Sequence, residues 1–252
     1  MTSPSPVAPH ARVPHFDAGD MMVAFQGFSP GFFKFFRDLK KNNDRAWFEA
    51  NKARYKETVV GPLQDFIIAL APRLVKISPH FKCDPRGNGG SMFRIYRDTR
   101  FSKDKTPYKT HASAHFRHDG GNDVHGPGYY LHLEPGRVMF GGGMWMPEPP
   151  TLFQVRTRIA EKPAEWKKAR DAASVKRAFG ALSDRDGLSK APRGFAPDHP
   201  LIEDIKLKSY FVMQESNEAE AAKPGFVTIV AKAYGDAAPV MAFLCKAAGA
   251  PF

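Results

Sequence analysis

The sequence predicts an α+β fold in which a central, mostly antiparallel sheet is packed by N-terminal and C-terminal helices. Apolar residues recur at helical spacing between Ser29 and Leu74 and again after Pro147. Between them, the segment from about residue 91 to residue 143 contains short stretches in which polar and apolar residues alternate. The connections between these stretches are too short for helical crossovers, so the strands should be antiparallel neighbours. Helices, then a sheet, then helices are typical of an α+β architecture.

The composition predicts a disordered tail followed by one folded domain. Residues 1–24 are rich in Pro, Ala, Ser and His, a composition that does not favour a packed core. The 252-residue chain is long enough to bury one sizeable core, which we expect over residues 25–252 as a single α+β domain.

The same sequence favours a cytoplasmic protein without membrane contact. The N-terminus lacks the apolar run of a signal peptide, and no uninterrupted apolar run approaches the roughly 18 residues that indicate a membrane span. Cys83 and Cys245 are the only cysteines, too few and too distant for a disulfide framework or a zinc signature.

Three helices are predicted before the sheet. Ser29-Pro30 places proline in the first turn of the first helix, Asn43 or Asp44 can cap the second, and the third begins near Pro62. Their apolar or aromatic positions are Phe32, Phe35, Phe36 and Leu39 in the first, Trp47, Phe48 and Tyr55 in the second, and Leu63, Phe66, Ile67, Leu70 and Leu74 in the third. This spacing is that of helices with one buried face.

Alternation and turn residues predict the strands that follow. We expect them around Phe93–Ile95, Thr110–Arg117, Tyr129–Leu133 and Val138–Phe140, separated by turns rich in glycine and proline. A further short strand is predicted over Ser209–Met213.

The remaining C-terminal part is predicted to be largely helical. Helices are expected near Leu152, Pro163 and Val175, and two more after Pro224. Pro239 should separate the last two, because proline removes a helical hydrogen bond.

The segment Arg94–Lys109, called the basic loop below, is the strongest functional signal. It contains six cations against two anions, a local net charge of +4, within a chain whose net charge is +11. Arginine pairs bidentately with phosphate or carboxylate, and lysine adds a mobile positive charge. The predicted ligand-binding residues are Arg94, Arg97, Asp98, Arg100, Lys105, Tyr108 and Lys109.

The basic loop also resembles the signature of a bacterial family of conserved hypothetical proteins, domain of unknown function 2461. The resemblance rests on Arg94, on Arg97-Asp98, on Arg100-Phe101, on Lys105 and on Pro107-Tyr108-Lys109. Flanking segments that also resemble the family are Trp47-Phe48, Asn51-Lys52, Gly90-Ser91, Pro127–Tyr130 and Gly141–Gly143. The resemblance implies a site at the motif, and it implies no particular activity.

Three functional hypotheses stay open at this point. The first is a module that binds a phosphorylated or other anionic ligand, with nucleic acid as one candidate partner. The second is an enzyme that holds a small anionic substrate with the basic loop and moves protons through Asp98, Tyr108 or a nearby histidine. The third is a structural or partner-binding protein in which the motif stabilises the fold, with Arg94 or Arg97 paired with acidic residues and Tyr108 packed. No catalytic residue is assigned and no cofactor is expected.

Strand parity predicts where the remaining polar residues lie. If Phe93 and Ile95 face the core, Arg94 and Tyr96 face the other side of the sheet. The residues with this polar parity are His111, Ser113, His115 and Arg117 in the second strand and Tyr130 and His132 in the third. We expect these polar faces to meet, with the basic loop at one rim.

The histidines do not predict a metal site. His111, His115 and His118 would share a helical face, but on a strand the first two lie about 13 Å apart at ~3.3 Å per residue. That separation is too large for one ion, so no metal is expected.

Overall fold

The structure is a computed structural model that describes residues 25–120, 125–183 and 186–252. The predicted disordered tail, residues 1–24, lies outside the described residues, so the division of the chain into a tail and one domain stays a prediction. The elements are α1 (Pro30–Lys41), α2 (Arg45–Ala50), α3 (Lys52–Tyr55), a π-helical turn (Lys56–Val60), α4 (Gly61–Ile77), β1 (Ala112–Arg117), β2 (Gly128–Glu134), β3 (Arg137–Met144), α5 (Pro149–Glu161), α6 (Pro163–Arg170), α7 (Ala173–Phe179), α8 (Ile202–Ile205), β4 (Tyr210–Ser216), α9 (Glu218–Ala221) and α10 (Phe226–Ala247).

The N-terminal helices form for the reasons that the sequence indicates. Pro30 lies in the first turn of α1, and the Asp44 side chain caps α2 by accepting a hydrogen bond from the backbone N–H of Trp47. The five apolar residues of α1 are buried together with the stripe of α4. These helices therefore supply an aromatic layer of the core.

The sheet is antiparallel throughout, with the strand order β1-β2-β3-β4. An antiparallel sheet with helices before and after it confirms the predicted α+β fold class. The strand predicted over Ser209–Met213 is β4, which extends to Ser216. Along β1 and β2, Ala114 faces Leu131 and Phe116 faces Tyr129, so that one face of the sheet is apolar. That face is covered by α10, which contacts β3 most extensively.

The prediction of a strand around Phe93–Ile95 is wrong. This segment pairs with β1 only at an isolated bridge between Met92 and Ala114, and Tyr96 instead bridges to Tyr108. The backbone leaves the edge of the sheet because it turns to form a hairpin with the far side of the basic loop.

The predicted interruption of the C-terminal helix at Pro239 is also wrong, because α10 continues through it. Ala237, Val240 and Met241, on both sides of the proline, are fully buried. A proline inside a helix costs about 3 kcal/mol, and burial of each large side chain returns about 1.5–3 kcal/mol. Tertiary packing therefore overrides the local preference.

Two helical segments, Lys52–Ile77 and Phe226–Ala247, have the length and mean hydropathy of a membrane span. Charged or polar residues interrupt both segments, so neither is an uninterrupted apolar run. The core helices of soluble proteins pass the same test, and the second segment is α10, which packs on the sheet. A cytoplasmic location stays a prediction.

We predict that Gly141→Ala destabilises the protein by about 1–3 kcal/mol, the usual cost of overpacking. A Cβ atom at Gly141 would lie 1.8 Å from the backbone oxygen of Val212 in β4, so the strand would have to move. Urea denaturation would measure the loss.

Gly225→Ala is the matched control, because a Cβ atom there meets nothing within 4 Å and the φ of Gly225 is an ordinary −69°. Equal stability of the Gly141→Ala variant and the native protein would show that the close approach of β3 and β4 has been misjudged.

Candidate functional site

The basic loop is a hairpin fastened at its base to the N-terminal helices. The backbone N–H of Arg97 donates to the oxygen of Pro107 at 2.9 Å, and that of Lys109 donates to the oxygen of Ile95 at 2.8 Å. Asn43 binds both backbone groups of Tyr108, donating through Nδ2 at 2.9 Å and accepting through Oδ1 at 3.1 Å. These bonds hold the loop even though it lacks a regular strand.

The two acidic residues of the loop are paired within the loop itself. Arg97 contacts Asp104 and the Thr106 hydroxyl, and Arg100 contacts Asp98 with Nη2 2.7 Å from Oδ2. The Arg100 side chain lowers the pKa of Asp98 to about 2. The backbone N–H of Thr106, followed by Arg97, lowers the pKa of Asp104 to about 2.

The other predicted binding residues lie in different surroundings. Arg94 and Lys105 are exposed, and the Lys105 ammonium donates to the backbone oxygen of Thr99 at 2.9 Å. Tyr108 is only 3% exposed, and its ring stacks on Phe48 at a centroid distance of 4.2 Å. Lys109 is half-buried. The seven residues therefore do not converge on one point.

A cavity of about 660 Å³ lies over the polar face of the sheet and is called the sheet cavity below. It is lined by Phe93, Lys109, His111, Ser113, His115, His125, Gly126, Gly128, Tyr130, Met139, Gly142, Gly143, Trp145, Phe211 and Met213. Lys109 is the residue of the predicted site that reaches it. Burial lowers the pKa of the Lys109 ammonium, which donates to the backbone oxygen of Arg94 at 3.1 Å and lies 5.3 Å from the Phe93 ring centre.

The predicted meeting of polar strand faces is confirmed for β1 and β2 by their register. The parity of the first segment is wrong, because Phe93 lines the sheet cavity beside His115, whereas Arg94 does not line it. Ser113 faces His132 and His115 faces Tyr130 across β1 and β2, so all four project from the same side of the sheet. Gly128 makes room for His115, because a Cβ atom there would lie 2.1 Å from Nε2 of the imidazole.

At the end of β1 and β2, the side chains of His111, His132 and Glu134 form a polar cluster. The Tyr130 hydroxyl lies 3.2 Å from Nδ1 of His132, and Nε2 of His132 lies 3.2 Å from Oε2 of Glu134. The rings of His111 and His132 pack at a centroid distance of 4.4 Å. Burial, reinforced by the neighbouring His132, lowers the pKa of His111 to about 4, and burial also lowers the pKa of His132.

Sequence reasoning missed part of this site. The sequence assigned no site role to Glu134, Trp145, Phe211 or Met213, and it placed His132 only by parity. The pattern His132-x-Glu134 puts both side chains on one face of a strand, but the register that brings His111 to them requires the structure.

In a comparison with protein-family models, residues 31–243 match a family described as conserved hypothetical protein (DUF2461). The chain belongs to that family. The match covers most of the chain, and the basic loop and all described residues that line the sheet cavity lie within the matched residues. The family description assigns no activity, and comparisons with the curated proteins and with the solved structures found no match.

We predict that the two pairs in the basic loop titrate independently. Arg97→Ala should raise the pKa of Asp104 above about 2, although not to the ordinary 3.8, because the Thr106 N–H still binds the carboxylate. The pKa of Asp98 should stay at about 2 in that variant, because Arg100 is its main partner. Carboxyl ¹³C chemical shifts followed against pH would measure both values.

Arg100→Ala is the reciprocal variant and should raise only the pKa of Asp98. A folded-state pKa of about 2 lies below the unfolded value of about 3.9, so these contacts stabilise the fold above pH 4 and the contribution disappears as pH falls toward 2. A change in both pKa values in either variant would contradict the independent pairing.

Proposed function

We propose that the chain binds a small anionic organic ligand in the sheet cavity, with Lys109 as its charged contact. The observation that carries the proposal is that the half-buried Lys109 ammonium lines a cavity in which no described lining residue is acidic. A half-buried ammonium without a carboxylate beside it favours an anion, because an opposite charge compensates for part of the lost hydration.

The shape and lining of the cavity narrow the class of ligand. A volume of about 660 Å³ falls within the 300–1,000 Å³ range of small-molecule sites. Phe93, Trp145, Phe211 and the two methionines supply apolar walls, whereas Ser113 and Tyr130 supply hydroxyl groups. This combination favours a molecule with an apolar body and one carboxylate or phosphate group.

The basic loop supports this function indirectly. Because Arg97 and Arg100 already bind Asp104 and Asp98, they hold the shape of the loop that ends at Lys109. If the protein is an enzyme, its substrate would bind in the same cavity. Asp98 and Tyr108, suggested from the sequence as proton carriers, do not line it, whereas His111 and Tyr130 do.

Nucleic acid is a second candidate ligand, favoured by one observation at the tip of the loop. Phe101 is 95% exposed, and the Arg100 guanidinium lies 5.8 Å from its ring centre. An exposed aromatic ring beside cations can stack on an unpaired base.

We predict that Lys109→Met weakens the stabilisation of the protein by small organic anions. A hydrogen bond to a charged group contributes about 1.5–3 kcal/mol, so the affinity should fall by about tenfold or more. A panel of carboxylates, phosphates and nucleotides would be tested by thermal shift, and any ligand found would be titrated by calorimetry.

Lys105→Met is the matched control, since it removes the same charge from the same loop at an exposed position. It should bind as the native protein does. Loss of binding in Lys105→Met but not in Lys109→Met would move the site to the loop surface. Binding of single-stranded oligonucleotides that weakens in Phe101→Ala and with rising salt would favour the second candidate.

A further inference from the structure

We propose that His111, His132 and Glu134 form a binding site for a divalent first-row transition metal ion at the end of the sheet cavity. This inference goes beyond the binding of an organic anion and does not depend on it. It also reverses the expectation of no metal, which considered His111 with His115 and His118 along one strand. The fold instead brings His111 together with two residues of the neighbouring strand.

The strand register assembles the three ligands. Ala112 faces Leu133 and Ser113 faces His132, and the same register places His111 opposite Glu134. His132 and Glu134 are two residues apart on β2 and therefore point to the same side. One candidate ligand atom from each of the three side chains lies within 4.8 Å of the other two.

This spacing is close to what a metal requires. Ligand atoms at about 2.1 Å from a tetrahedral ion are separated by about 3.4 Å. Small rotations of half-buried side chains such as His111 and Glu134 would close the difference without moving the strands.

Supporting hydrogen bonds already orient two of the ligands. The Tyr130 hydroxyl contacts Nδ1 of His132 at 3.2 Å, so the other nitrogen, Nε2, is directed toward Glu134. The hydroxyl of Thr110 lies 3.4 Å from Oε1 of Glu134, which leaves Oε2 directed toward His132. A second partner on the far side of each ligand is the usual arrangement around protein-bound metals.

The other histidine cluster among the described residues lacks this property. His80, His118 and Asp119 also lie close together. However, Nε2 of His118 contacts the backbone oxygen of Pro251 at 2.8 Å, and Nδ1 accepts from the backbone N–H of Gly120 at 3.0 Å. Both partners of His118 are backbone groups outside its cluster. In contrast, Nε2 of His132 faces Glu134, which belongs to the same cluster and would bind the same ion.

Three protein ligands would leave at least one coordination position for water or for a bound molecule. His111 belongs both to the cluster and to the lining of the cavity, so this position would face the cavity. Two imidazoles and one carboxylate suit Zn²⁺, Fe²⁺ or Co²⁺ better than Ca²⁺ or Mg²⁺, which prefer oxygen ligands only.

The test is metal binding by the full chain produced without a histidine tag and freed of metal with EDTA. Zn²⁺ and Co²⁺ would be titrated by calorimetry, and the visible absorption of bound Co²⁺ would report its coordination. We expect one equivalent to bind with micromolar or tighter affinity, and His111→Ala and Glu134→Gln each to weaken binding at least tenfold.

His80→Ala is the matched control, because His80 is a half-buried histidine of the other cluster, and it should bind metal as the native protein does. Lys109→Met should also retain metal binding, which separates this inference from anion binding. Melting curves in EDTA would confirm that each variant is folded. The inference is overturned if the native chain binds no stoichiometric metal, if Glu134→Gln and His111→Ala bind as the native protein does, or if His80→Ala loses the ion.

Discussion

The antiparallel register between β1 and β2 is the constraint on which the rest of the structure depends. It sets Ala114 against Leu131 on the face that α10 covers, and Ser113 against His132 on the opposite face. Side chains alternate with a period of two, so a slip of one residue would exchange the two faces and place histidines in the core. A single pairing therefore determines both the hydrophobic core and the polar lining of the sheet cavity.

The basic loop is held in a different way, through bonds that are local or made by the backbone. Exposed ion pairs such as Arg100 with Asp98 contribute little to stability. The bonds from Asn43 to the backbone of Tyr108 and the stacking of Tyr108 on Phe48 attach the loop to the buried part of the molecule. Tyr108 thus belongs to the core, although the motif around it lies on the surface.

Elements with one buried face could be predicted from the sequence, because burial imposes a period on residues close together in the chain. The stripe of α4 and the alternation of β1 are examples. Features that depend on distant residues could not be predicted. The continuity of α10 through Pro239 depends on tertiary packing. The absence of a regular strand around Phe93 depends on where the chain turns to form the hairpin of the basic loop. In the candidate site, Lys109 was selected from its charge and its site role stays a prediction, whereas the juxtaposition of His111 with His132 and Glu134 depends on the register.

The pairing of Arg97 and Arg100 with acidic neighbours fixes geometry but does not change the surplus of charge. The loop still carries a net charge of +4, and its exposed cations, which include Arg94 and Lys103, produce a field that extends about 8–10 Å into solution at physiological ionic strength. This field acts before any contact forms. Small anions would collide with this edge of the molecule more often than with a neutral surface. For the ligand proposed above, the loop would therefore affect the rate of encounter, and groups inside the cavity would affect how long the ligand stays bound.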